Sequence, residues 1–444
     1  MAYKGIEYLR RRLAQKSERV RLRYKYYEAK NLLIDRSLLT PPSYRNMQAV
    51  LGWCAKATDS LADRLVFSRF DNDLLDMDPI YAMNNRDVLF DSAILSALIS
   101  ACCFIYISAD DDGYPTLQVI DGARATGLID PITNMLTEGY VILAVDEKGR
   151  PTQEAYFTAE ETVIYTQDAD LVAGFDPGLS VEAVVMPGPS GTGVSARAVH
   201  IPNPAPYPLL VPIIYRPDAA RPFGHSRISR ACMDITQSAL RTIKRSEISA
   251  DFYSFPQKYV LGLSEDAQDD FDNVRATLSS FLSFGRDEEG QMPSVGQFTQ
   301  QSMSPYTEQL RTFAALFSGE TGLTLDDLGF ATENPSSAEA IKACHESLRL
   351  TARKAQRTFG TGFANAGYLA ACVRDKFKYS RRQLSEIVPV WEPIFETDFA
   401  SLGLVGDGVS KINTAVPGYF NRDNLRQLTG IAPSDLPAPV TEEA

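Results

Sequence analysis

The hydrophobic period of the chain changes several times, and each change marks a boundary. From residue 3 to 34, Tyr8, Leu9, Leu13, Val20, Tyr24 and Tyr27 recur at helical spacing among Arg and Lys, which predicts a basic amphipathic helix. Thr40-Pro41-Pro42-Ser43 breaks it. Further helices are predicted at Asn46–Arg64 and Pro79–Ser100. Alternation then replaces helical spacing: strands are expected at Cys103–Ser108 and Thr116–Ile120, around the turn cluster Asp110 to Pro115, and at 138–146, 153–158 and 161–166. Residues 167–210 are rich in Gly and Pro and are read as loose, followed by a short strand at Val211–Tyr215.

The second half is more helical. Ser226 reads as an N-cap for a helix to about Tyr253, with Ile228, Cys232, Ile235, Ala239, Ile243 and Ala250 in one stripe. Such a helix is a rod of about 40 Å. Phe255-Pro256 ends it, and a strand at 258–263, an acidic helix at 265–282, a strand near 295–298 and a helix from Pro305 follow. Ser336 and Glu339 form a capping box for a very long helix reaching Phe377, in which Gly360, Gly362 and Gly367 predict a kink. A strand at 389–391 and short helices at 398–413 and 421–430 precede a Pro-rich acidic tail, 433–444, expected to be disordered. The fold class is α+β, predominantly helical.

At roughly 100–200 residues per domain, a chain of 444 residues makes two to four structural units. No apolar run is long enough for a membrane helix, and Met1 to Arg12 lacks the apolar core of a secretory signal. Cys54, Cys102, Cys103, Cys232, Cys344 and Cys372 form no CxxC pair and read as buried reduced thiols, which fits a reducing cytoplasm. The net charge of −12 argues against tight duplex binding, although a channel through which DNA slides should itself avoid gripping phosphate. The basic stretch Arg10 to Arg36 reads either as a contact for nucleic acid or an acidic partner, or as a solvated helix face.

Catalytic chemistry finds no constellation. His200, His225 and His345 lie far apart with no metal-ligand spacing, and Gly188 to Gly193 lacks the Lys and Ser/Thr of a phosphate loop. Asp326 and Asp327 are adjacent but have no neighbouring His, and Asp110 to Asp112 lacks the calcium-loop spacing. No enzyme activity, cofactor or metal is expected.

The order of segments resembles the portal (head–tail connector) family of long-tailed, siphophage-type bacteriophages. The residues carrying the likeness are Ile213-Ile214-Tyr215, then Gly224-His225-Ser226-Arg227-Ile228, then Phe255 to Val260. The most specific stretch is Thr321-Gly322-Leu323 through Leu328-Gly329 to Asn334-Pro335-Ser336-Ser337-Ala338-Glu339-Ala340-Ile341. Tyr26-Tyr27-Glu28 looks like the family's Tyr-Tyr-x-Gly with Ala29 replacing Gly; Ser60 to Leu65 and Met83-Asn84-Asn85 also sit where expected. The likeness covers about 20–435 and rests on the order of many weak motifs.

That resemblance implies a portal fold with wing (1–224), first stem helix (225–253), clip (254–304), second stem helix (305–322), tunnel loop (323–336), long kinked helix returning to the wing (337–397) and small crown with tail (398–444). It implies a twelve-subunit homo-oligomeric ring at one capsid vertex, the channel for DNA packaging and ejection. The tunnel loop facing DNA would present Thr324, Asp326, Asp327, Thr332, Glu333 and Asn334. Docking of the terminase large subunit, and later of a head-completion adaptor, would fall on Glu265, Asp266, Asp269, Asp270, Arg286, Asp287, Glu288 and Glu289 of the clip. Arg227, Arg230, Arg241, Lys244 and Arg245 of the stem would face the lumen or a neighbouring subunit. Other implied partners are double-stranded DNA without sequence specificity, and scaffold and major capsid proteins; no membrane is implied. The location is the virion, and the host bacterial cytoplasm during assembly. The alternatives are a minor capsid or head-completion protein, and a nuclease or packaging ATPase, which the absent phosphate loop and metal carboxylates disfavour.

Overall fold

In a computed structural model, the described residues are 3–35, 40, 42–167, 179–187, 193–254, 258–261, 294–297, 302–330, 344–394 and 399–429. The chain divides into two compact units, one of residues 1–24, 57–228 and 342–444, the other of 25–56 and 229–341.

The first unit is mixed helix and sheet. Helix α1 (Ile6–Tyr27) is shorter than the hydrophobic pattern predicts, the chain turning out of it through Ala29 at φ +52°. The helix expected at 46–64 is confined to α2 (Trp53–Ala62). The helix expected at 79–100 is two, α3 (Asp78–Met83) and α4 (Arg86–Ser100), broken where Asn85 adopts φ +51°. Strand β1 (Phe67–Asp71) had no alternation to betray it, because it pairs with the distant β13 (Val388–Trp391). A hairpin of β2 (Cys102–Ala109) and β3 (Pro115–Ile120) closes as predicted, and β10 (Leu210–Ile214) adds to the free edge of β2.

A six-stranded antiparallel sheet runs in the order β4 (Ala125–Ile129), β5 (Leu136–Val145), β6 (Pro151–Phe157), β7 (Glu161–Thr166), β9 (Gly193–Pro202), β8 (Ser180–Pro187). The region read as loose therefore holds two long strands. Their alternation is visible in Val181, Ala183 and Val185, but the flanking Gly and Pro concealed it. Glycine-rich 188–192 lies outside the described residues.

Helix α7 (Glu346–Asp375), α-helical through all three glycines, organises this unit. At the glycines where a kink was expected, other segments pack closely against the helix. A Cβ on Gly360 would meet Pro389 at 2.8 Å, one on Gly362 would meet Ile213 at 2.7 Å, and one on Gly367 would meet Met77 at 2.6 Å. The glycines let β13, β10 and the start of α3 approach the helix axis. Phe363 fills the space between them, its ring 4.5 Å from Phe90, 5.7 Å from Phe67 and 6.2 Å from Trp391. Tyr81, fully buried, donates its hydroxyl to the Phe363 carbonyl at 2.5 Å. After α7 come α8 (Arg381–Glu386), closed by a Ser380–Gln383 capping box, α9 (Phe399–Ala415) and α10 (Arg422–Thr429). The capping box at 336–339 and the tail at 433–444 lie outside the described residues.

The second unit is built on α5 (Arg230–Ser254) and α6 (Ser304–Thr321), with Thr242 donating to Gln309 at 3.0 Å between them. Helix α5 starts later than expected. Ser229, not Ser226, accepts the Cys232 N–H at 3.1 Å as N-cap, while Ser226 is buried in the first unit and donates to the Ile99 carbonyl. Residues 31–35 run alongside α5: the Gln237 carboxamide accepts from Ile34 N–H and donates to the Leu32 carbonyl, both at 3.0 Å. Leu33, Ala49 and Leu240 form a core with Leu51 and Ile243, and Trp53 meets Phe317 at 5.5 Å. Strands β11 (Lys258–Leu261) and β12 (Ser294–Gln297) pair antiparallel. The helix expected at 265–282 lies outside the described residues.

Phe363→Ala should cost about 3–5 kcal/mol, as for a large aromatic removed from a core, whereas Leu350→Ala at an exposed position of the same helix should stay within about 0.5 kcal/mol. Urea unfolding of the two variants checks this.

Candidate functional site

The basic helix α1 is neither a solvated face throughout nor a free cationic surface. Leu9 and Leu13 pack on Tyr140 of β5, with Ile6, Leu128, Ile142 and Tyr156 around them. Beside that apolar contact, two glutamates are buried in the sheet, Glu138 at 2% exposure and Glu154 at 3%. They lie on one face because side chains alternate along a strand, and Tyr140 and Tyr156 stand directly opposite each other between them. Glu138 accepts the backbone N–H groups of Lys4 and Gly5 at 2.7 and 2.9 Å, satisfying orphan donors at the start of α1. It also accepts the Tyr156 hydroxyl at 2.9 Å. Glu154 accepts the Tyr140 hydroxyl and pairs with Arg10. Burial opposes the Arg10 charge, but Glu154 and Glu7 outweigh it and raise the pKa of its guanidinium.

Further along α1, Lys16 lies over Phe104 at 5.0 Å and Phe223 at 5.8 Å, and Arg23 donates to the Ser100 carbonyl at 3.0 Å. Burial lowers the Lys16 pKa. These charges serve the fold. The sequence signal was the acid inserted into the inward positions of β5, Leu136-x-Glu138-x-Tyr140, opposite a helix of unusual basicity.

The five basic stem positions separate in the structure. Arg227 is buried and donates to the Ala57 carbonyl at 3.2 Å. Lys244, 2% exposed, pairs with Asp35 at 3.1 Å and donates to the Arg45 carbonyl at 3.1 Å. Neither reaches a surface, which corrects the expectation that they face a lumen or a neighbour: each is needed to satisfy buried partners inside its own unit. Arg241 is half-buried and donates to Ser238 at 2.8 Å, and Arg230 and Arg245 are exposed.

At the start of the expected tunnel loop, Asp326–Leu328 form a 3-10 turn between the buried Leu323 and Leu328. The Asp327 carboxylate accepts the N–H and the hydroxyl of Thr324, both at 2.9 Å, so these two residues close the turn on themselves. Asp326 is exposed, and Gly329 leaves the turn at φ +89°. Thr332, Glu333 and Asn334 lie outside the described residues, as do Glu265, Asp266, Asp269, Asp270, Arg286, Asp287, Glu288 and Glu289.

The remaining chemistry-bearing residues have local roles. Asp110 accepts the N–H groups of Asp112 and Tyr114 in its turn. His200 meets Glu161 at 2.9 Å and His225 meets Asp218 at 2.6 Å. Burial pushes the thiols of Cys54 and Cys102 up to about 12 and raises that of Cys103 well above its ordinary value, which keeps them protonated and unreactive. Cys344, by contrast, is exposed. Among the described residues no group of three or more His, Cys, Asp or Glu could hold a metal, and no helix is long and apolar enough to cross a membrane.

The chain is 25% identical over 371 residues to the portal protein of Mycobacterium phage L5, covering 78% of this chain and 69% of that protein. It is 24% identical over 380 residues to the portal protein of Mycobacterium phage D29, covering 80% and 71%. The chain is thus similar to bacteriophage portal proteins over more than three quarters of its length. No family model matches it. Among solved structures, it aligns with a chain of the virion of a native gene transfer agent particle at 14% identity and TM-score 0.43, covering 94% of this chain and all of that one. It also aligns with a chain from the neck of an empty gene transfer agent particle at 13% identity and TM-score 0.44, covering 92% and 98%.

Lys244→Ala should destabilise the protein by about 3 kcal/mol, because it removes a buried ammonium from both the Asp35 carboxylate and the Arg45 carbonyl, while Arg245→Ala should change stability by less than about 0.5 kcal/mol. Thermal unfolding of the two single variants distinguishes the structural from the surface cation.

Proposed function

We propose that the chain works as a bacteriophage portal: a homo-oligomeric ring, twelve-membered, at one capsid vertex, through which double-stranded DNA enters during packaging and leaves during ejection. Sequence kinship with two portal proteins over more than three quarters of the chain carries this reading. The order α5, β11–β12, α6 supports it, because a long helix, a strand-built insertion and a second helix are what a stem and clip require. In this reading α5 and α6 are the stem, residues 254–304 the clip, residues 323–336 the tunnel loop, and residues after 398 a small crown. The wing is the α+β region of 1–224, joined by 337–397.

The loop would guide DNA without gripping it. Asp326, Asp327 and Glu333 bring negative charge and the loop has no Lys or Arg, so it forms no phosphate contacts that would release counterions and hold the duplex. The acidic clip residues would receive the terminase large subunit and then a head-completion adaptor, and the wing the scaffold and major capsid proteins. Arg230 and Arg245 remain as stem cations available to the lumen or a neighbour. The protein would act in the virion, after assembly in the host cytoplasm.

Deleting residues 325–333 should leave oligomers intact and lower the yield of DNA-filled particles when the variant complements a portal-deficient phage. A normal titre from the deletion would count against this assignment of the loop.

A further inference from the structure

The first unit carries two outward helix faces of opposite charge on either side of one aromatic contact. Helices α4 and α7 meet through Phe90 and Phe363, ring centroids 4.5 Å apart. On α7, the exposed positions Leu350, Arg353, Lys354, Arg357 and Thr361 fall at helical spacing on a face turned away from Phe363. Arg349 at its margin is tied to Glu346 at 2.6 Å, but Arg353, Lys354 and Arg357 stand clear of any carboxylate at ion-pair distance among the described residues. The face is cationic in a chain of net charge −12, with Leu350 48% exposed in its middle.

On α4, Asp87, Val88 and Asp91 are exposed on the side turned away from Phe90. Asp63, at the end of α2, lies close enough to act on the same charge: burial first, then Asp87 and Asp63, raise the Asp91 pKa. Arg86 meets Asp87 at 3.4 Å. Val66, three residues after Asp63, and Val88, beside Asp87, add exposed apolar surface at 47% and 71% exposure.

We propose that these faces dock on each other between copies of the chain, the cationic face of α7 on one subunit against the acidic face of α4 and the α2 end on the next. Two different, complementary patches turned to opposite sides of one subunit are what a heterologous, head-to-tail contact needs; an isologous dimer built on either patch alone would bring that patch against itself. Like charges across such a contact repel, so the same pattern that favours head-to-tail docking rejects the other arrangement. The exposed Leu350 on one face and Val66 and Val88 on the other provide apolar contact inside the charged rims. The inference rests on the ring reading above and assigns its contact surfaces.

Two triple variants of the full chain test it: Arg353→Glu/Lys354→Glu/Arg357→Glu and Asp63→Lys/Asp87→Lys/Asp91→Lys. All six positions are at the surface or half-exposed, and thermal unfolding confirms that each variant folds. Sedimentation velocity across a concentration series, with and without 1 M salt, reads assembly. Each variant alone should need roughly tenfold more protein, or more, to assemble, because attraction across the contact becomes repulsion. An equimolar mixture of the two should assemble near the wild-type concentration, since all-acidic and all-basic subunits can alternate. Wild-type-like assembly of either folded variant alone, or failure of the mixture, overturns the proposal while leaving the ring standing if the wild type assembles. Unchanged assembly with weakened binding of duplex DNA by the α7 variant would assign that face to nucleic acid and likewise overturn it. A wild-type chain that stays monomeric at every concentration would remove the ring reading as well.

Discussion

Much of the first unit is built around α7, which three separate segments approach from different sides of the helix. That approach is possible because Gly360, Gly362 and Gly367 present no side chain where Pro389, Ile213 and Met77 come in. The cost is a helix with three poor helix formers in its C-terminal half, each worth up to about 1 kcal/mol relative to Ala. It is offset by Phe363 and Tyr81, which fill the space so created, and by burial of nearly every residue from Phe359 to Val373. The same seam fixes α4, and α4 in turn supports the β2–β3 hairpin, so the helix faces available to partners follow from it.

Charge is distributed by a second rule. Arg10, Lys16 and Arg23 of α1 and Lys244 of α5 are held inside their own units, by Glu154, by aromatic faces, by a backbone carbonyl and by Asp35, while Arg11, Arg19, Arg21 and Lys25 of α1 are exposed. A buried cation without such a partner would be expensive, and truncating either member of a buried pair leaves the other uncompensated. Arg353, Lys354 and Arg357 on α7 are exposed as well, with no carboxylate at ion-pair distance among the described residues.

Much of this was legible in the chain. The helical stripes of α5 and α6, the β2–β3 hairpin around its Asp-rich turn, and β5 to β7 all follow from local period and turn chemistry. The portal kinship was legible too, from the order of weak motifs. Three things were not. Strand β1 depends on β13, more than 300 residues away, and nothing local demands it. Strands β8 and β9 were hidden by neighbouring Gly and Pro whose composition outweighed their alternation. What packs against the glycines of α7 was hidden, because sequence reports their missing side chains without reporting what fills the space. For the site residues the difficulty was similar: Arg227 and Lys244 look like surface cations by type, and only tertiary structure reveals the carbonyls and the carboxylate that hold them inside.

The central claim is that the chain closes into a ring around a channel. Negative-stain microscopy of the purified protein tests it directly. The account predicts rings with a stain-filled centre and a single rotational order; compact monomers under all conditions, together with absence of the protein from purified virions, would contradict it.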